Sequence, residues 1–94
     1  MSETKVRIPA PLRPLVGGVS EVTISGQTVG EVLIELGASH AGFLDRILDG
    51  DGQVRAFVNL YLDDRNVRAL EGLDTPVHDG ATLHIVPAVA GGQK

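Results

Sequence analysis

The segment Arg55-Ala-Phe-Val-Asn-Leu-Tyr-Leu-Asp63 alternates in side-chain type along its length. Val58, Leu60 and Leu62 fall on one side, and Phe57, Asn59, Tyr61 and Asp63 fall on the other. A period of two is the signature of a strand with one covered face, because a helix would spread the same residues around its axis. The aliphatic side must meet a core. The other side, with its aromatic and polar groups, is set up to meet something else.

Two further runs share the pattern. Lys5-Val-Arg-Ile8 places Val6 and Ile8 on one face, and Val19 to Ser25 places Val22 and Ile24 opposite Glu21 and Thr23, so the pair reads as a hairpin turned at Gly17-Gly18. Between them, Pro9 to Pro14 lacks ladder donors at its three prolines and reads as an extended crossing loop with Leu12 and Leu15 tucked under it. The last strand runs from Ala81 to Val86 after an Asp79-Gly80 turn, with Leu83 and Ile85 inward, and Pro87 stops its pairing. Asp63 to Asn66 reads as a turn, and Leu70 to Val77 as an irregular stretch with one tight helical turn.

The helical signal lies in the middle of the chain. Thr28-Val-Gly-Glu31 is a capping box, and Val29, Val32, Leu33 and Leu36 follow the spacing of one helix face, with Gly37 as a left-handed C-terminal cap. A shorter helix capped by Ser39 carries Phe43, Leu44, Ile47 and Leu48 and ends at Gly50-Asp-Gly52. Hairpin, helix, strands and tail in that order give an α+β class: a mixed sheet with one main helix packed across it and at least one parallel strand contact.

Length and composition narrow the function. A chain of 94 residues holds one core, taken as residues 1–87, with 88–94 as a tail. Aromatic residues make up 3% of the chain, so that core must be built from Val, Leu and Ile. The formal charge of −4, with no Lys or Arg cluster, argues against nucleic acid and favours a partner of opposite sign. There is no Cys, which excludes thiolate metal sites and a cysteine nucleophile. With no targeting leader or apolar membrane span, a soluble cytoplasmic protein is expected, with no membrane partner. His40, His78 and His84 lack metal-ligand spacing, and the Asp49-Gly-Asp51-Gly52 and Asp63-Asp64 pairs lack the rest of a calcium loop. No catalytic or phosphate-binding motif is present, and the reading is a carrier substrate with no cofactor of its own, not an enzyme.

The end of the chain carries the chemistry. Ala88-Val89-Ala90-Gly91-Gly92 is small and uncharged, and from Pro87 to Gly92 it spans about 20 Å when extended. Two residues without Cβ atoms let a backbone thread a narrow channel. A carboxylate there is a poor acyl donor, but transfer to AMP makes a mixed anhydride that sulfide attacks to give a thiocarboxylate. A Gly-Gly pair in isolation is commonly just a frayed terminus. Here it sits a short arm beyond a strand that ends in proline.

Phe57-Val-Asn-Leu-Tyr61, Asp79-Gly80 and Pro87-Ala-Val-Ala-Gly-Gly92 together resemble the ThiS/MoaD/CysO family of ubiquitin-like sulfur carriers, and most closely its CysO branch. The similarity covers almost the whole chain. It implies a β-grasp fold, adenylation and thiocarboxylate formation at Gly92, and Gly91 as a required small neighbour. It further implies an E1-like adenylating and sulfurtransferase partner that uses ATP, and a sulfur-accepting synthase. Family members end at the second glycine, so Gln93-Lys94 must first be removed, for which a processing metalloprotease is the expected agent. Phe57, Tyr61, His84 and Val86 are the expected partner-binding face beside the tail. The competing reading is a protein modifier whose activated Gly92 forms isopeptide bonds; a third is an interaction module with an inert tail.

Overall fold

Residues 3–87 are described in the computed structural model of the chain. Strand β1 (Glu3–Arg7) runs antiparallel to β2 (Glu21–Ser25), with Val6 opposite Val22 and Thr4 opposite Ile24. Strands β3 (Val58–Leu62), β4 (Arg65–Asn66) and β5 (Thr82–Pro87) complete a five-stranded sheet in the order β2-β1-β5-β3-β4. β5 lies at its centre, parallel to β1 and antiparallel to β3. The mixed sheet expected from the sequence is therefore present, and its parallel contact joins the first strand to the last.

One face of the sheet is covered by α1 (Val29–Ser39) and the short α2 (Phe43–Ile47). Val29, Val32, Leu33 and Leu36 of α1 meet Val6, Leu60 and Leu83 of the sheet in one core, and all of them are fully buried. Burying side chains of this size contributes about 1.5–3 kcal/mol each. Phe43 is the single aromatic residue in that core, so aliphatic packing holds the fold, as the composition requires.

The N-terminus of α1 is held from two directions. Thr28 Oγ1 accepts from the Glu31 amide at 3.1 Å, and the Glu31 carboxylate reaches back, but to the Gln27 amide at 3.0 Å instead of that of Thr28. The Val29 amide, which has no partner within the helix, donates to the Thr75 carbonyl at 3.0 Å. The segment around Pro76 thus closes over the helix start.

Several expectations are corrected. Pro9 to Pro14 does not run extended: Ala10–Val16 is a 3-10 helix in which the Leu12 amide donates to the Pro9 carbonyl at 2.9 Å, and proline's fixed φ suits such a turn. Leu12 and Val16 are buried by it, and Leu15 packs partly against the core. Gly37 does not cap α1, which continues to Ser39 and ends at His40. A Cβ on Gly37 would stand 3.0 Å from Leu44 Cβ, so this glycine serves the close approach of α2. Nor does Ser39 cap α2; Gly42 precedes that helix at φ 83°, a left-handed conformation.

β3 is shorter than its alternating pattern because the Val58 amide donates to the Arg55 carbonyl, which leaves Arg55 to Phe57 in a turn. Leu70 to Val77 holds one 3-10 turn at Gly72–Asp74, preceded by another at Val67–Ala69. Pro87 does not stand outside the last strand but is its final residue, opposite Val58. Ala88, Val89, Ala90, Gly91 and Gly92, and the Gln93-Lys94 that follows, lie outside the described residues. No helix among the described residues is long and apolar enough to cross a membrane.

Candidate functional site

The face of the sheet turned away from the helices is built by the alternate residues of β1, β3 and β5. With Leu60 and Leu83 driven into the core, Tyr61 and His84 are forced outward, directly opposite each other in the antiparallel register. Arg7 lies beside His84 across the parallel ladder, and Val86 stands opposite Asn59. Tyr61 and His84 are half-buried, as expected for neighbours whose Cβ atoms sit about 5 Å apart.

Four large apolar side chains are exposed among the described residues: Val19, Ile34, Phe57 and Val86. Two of them, Phe57 at 66% and Val86 at 43% exposure, flank Pro87, from which the tail departs. Phe57 lies in the turn before β3, not in the strand. Of the four expected partner-binding residues, Val86 and Phe57 lie beside Pro87, whereas Tyr61 and His84 pair three residues farther along the β3–β5 ladder, toward its other end.

Arg68 was not legible as part of this surface. Its Nη1 donates to Asn59 Oδ1 at 2.8 Å and its Nη2 to the Arg55 carbonyl at 2.8 Å, which lays the guanidinium across β3 beside the position of Val86. Asn66 Oδ1 fixes the start of this turn by accepting from the Arg68 amide at 2.9 Å. The only sequence signal was a polar Asn59 at an outward strand position, which names no partner. With Lys5 and Arg7 on β1, Arg68 supplies a third cation to this face, nearly balanced by Glu3 and by Glu21, which pairs with Arg7 at 3.4 Å.

At the opposite end of β3, Asp63 turns the chain at φ 56° and accepts from the Thr82 amide at 3.1 Å and from His78 Nε2 at 3.0 Å. The His78 hydrogen bond, reinforced by the Thr82 amide, holds the Asp63 carboxyl below its ordinary value, and the same bond to Asp63 raises the His78 imidazole. This pair fastens the β3–β4 turn to the start of β5. Asp49 Oδ1 accepts from the amides of Asp51 and Gln53, so its loop is closed on itself.

The sequence profile of the ThiS family matches residues 6–92. The chain belongs to the ThiS family. Sulfur carrier protein CysO of Mycobacterium tuberculosis is 44% identical over 89 residues, covering 93% of this chain and 96% of the relative. Small archaeal modifier protein 3 of Haloferax volcanii is 36% identical over 92 residues, covering 96% and 99%. Among solved structures, a chain of the BexX/CysO complex of Amycolatopsis orientalis superposes with a TM-score of 0.89 at 40% identity, covering 95% of this chain and 99% of that one. The fold is accordingly the ubiquitin-like β-grasp, and this ThiS-family chain is likened to small carriers and a modifier, not to catalysts. The family and its carriers support a sulfur-carrier role.

Proposed function

We propose that this chain carries sulfur as a thiocarboxylate on Gly92, formed after Gln93-Lys94 is removed by a processing metalloprotease. The reading is carried by the reach of the family match, which runs through the outward face and ends at the second glycine of the tail. The Gly92 carboxylate attacks the α-phosphorus of ATP on an E1-like enzyme, releasing pyrophosphate and forming an acyl adenylate. Sulfide then attacks the acyl carbon, the C–O bond to the phosphate breaks, and AMP leaves with that oxygen. A synthase takes the sulfur to a biosynthetic acceptor, and water restores the carboxylate. In this reading the chain binds no cofactor of its own and is not an enzyme, the reaction takes place in the cytoplasm, and neither nucleic acid nor membrane takes part.

The body supplies docking. Phe57, Val86, Tyr61 and His84 sit where an enzyme drawing Gly92 into its cleft would rest. That the relative from Amycolatopsis orientalis crystallised in complex with BexX supports a docked partner for a carrier of this shape. The likeness to an archaeal modifier protein favours one second reading, in which a lysine amine attacks the activated Gly92 and forms an isopeptide.

The experiment uses the chain ended at Gly92, its adenylating enzyme, ATP and sulfide. A mass increase equal to one oxygen replaced by one sulfur, absent from the chain still ending at Lys94, is the expected result. Branched Gly-Gly remnants on lysines of other proteins, without the mass change, would replace it with the modifier reading.

A further inference from the structure

Pro87 separates two surfaces. Val86 lies on the outward side, near the exposed Phe57 in the turn before β3, while on the helix side a hollow of about 300 Å³ is lined by Leu12, Ile47, Val58 and Ile85, with Pro87 itself in the wall. It opens where the 3-10 helix Ala10–Val16 and the five-residue α2 come together over the last inward-facing residues of β3 and β5. Apart from Arg46, everything lining it is apolar. Arg46 is exposed and takes part in neither of the ion pairs found among the described residues, Arg7–Glu21 and Asp63–His78.

We propose that this hollow is a second docking point for the enzyme that activates the tail: it receives one apolar side chain of that enzyme, and Arg46 pairs with a neighbouring carboxylate. The inference rests on the sulfur-carrier reading. Gly92 lies at most about 20 Å of chain from Pro87, so an enzyme that holds Gly92 at its catalytic centre must bring that centre within about 20 Å of Pro87 and the hollow beside it. Its volume is at the lower limit for a small-molecule site and matches one or two inserted side chains. An exposed cation that takes part in no ion pair among the described residues selects a carboxylate on the partner. The enzyme thereby grips the root of the tail from both faces of the sheet, which fixes the direction in which the tail leaves.

The test compares Arg46→Glu, Arg46→Gln and the control Arg65→Glu, all in the chain ended at Gly92, as substrates of the adenylating enzyme purified by its Gly92-dependent release of pyrophosphate. Arg65 is exposed at the far end of β3 and makes the same change in net charge. The expected result is a KM raised about tenfold or more by Arg46→Glu, less by Arg46→Gln and not by Arg65→Glu, with kcat and melting temperature unchanged. An unchanged KM for Arg46→Glu overturns the second docking point while wild-type turnover leaves the carrier reading standing. A shifted monomer–dimer balance with unchanged KM assigns the hollow to a second copy, and a lowered KM assigns it to the chain's own tail; either overturns the proposal. Failure of the wild-type chain to be adenylated removes both readings together.

Discussion

Tyr61 and His84 face each other across β3 and β5, on the side of the sheet opposite Leu60 and Ile85. Under the proposed docking role, their position couples sheet support to docking, whereas Phe57 and Val86, farther toward Pro87, are exposed enough to serve docking alone. Phe57→Asp or Val86→Asp should therefore raise the KM for the chain in adenylation by about tenfold or more with little change in melting temperature. Tyr61→Ala should raise KM and also cost about 0.5–1 kcal/mol of stability through the lost cross-strand pair. Steady-state kinetics beside thermal melting separates the two behaviours; a Phe57→Asp chain that melts early but is adenylated normally contradicts the assignment.

Thr4 is fully buried on the inward side of β1, and its hydroxyl has no hydrogen-bond partner among the described residues. Removing a buried hydroxyl that makes no bond, while keeping the β-branched shape, relieves a desolvation cost. Thr4→Val should stabilise the chain by about 1 kcal/mol, read as an upward shift in the denaturant midpoint with an unchanged slope. A loss of stability would show that the hydroxyl is satisfied.

The Asp63–His78 pair makes stability depend on pH. Asp63 is lowered chiefly by its hydrogen bond from His78, so its share is present above the ordinary aspartate value of 3.8 and is lost as pH falls through its lower folded value. His78 is raised chiefly by its hydrogen bond to Asp63, so its share is complete below the ordinary histidine value of 6.5 and is lost as pH rises through its higher folded value. The pair contributes most between those two ordinary values. His78→Ala should lower the melting temperature most near about pH 5 and progressively less toward about pH 9. Both groups are exposed, so the effect is small and weakens with added salt; a difference that stays constant with pH means the pair does not act through charge.

Much of the fold was legible because burial imposes periodicity. Val58, Leu60 and Leu62 announced a strand, Val29, Val32, Leu33 and Leu36 announced a helix face, and Thr28 with Glu31 marked its start, since each of these signals is satisfied within a few residues. The misreadings share the opposite property. Gly37 carries the composition of a cap, but its use depends on Leu44 approaching from another helix. Pro9 to Pro14 was read from what proline forbids, while the 3-10 helix there is stabilised by burying Leu12 and Val16 in a core built from distant residues.

The candidate site divides in the same way. The outward placement of Tyr61, His84 and Val86 followed from alternation, and the Gly91-Gly92 ending was visible as written. Arg68 on Asn59, Asp63 on His78 and the hollow beside Arg46 join residues from different elements, and no local pattern encodes such meetings.

From the chain alone came the alternation of its strands, the apolar stripe and cap of its main helix, and the small, uncharged run Ala88 to Gly92 near its end. Those are local properties, fixed by the geometry of a few consecutive residues. Only the tertiary structure set β5 between β1 and β3, brought Val58 opposite Pro87, and laid Arg68 on Asn59. The reason is physical: strand neighbours and side-chain partners are decided by which distant segments bury one another.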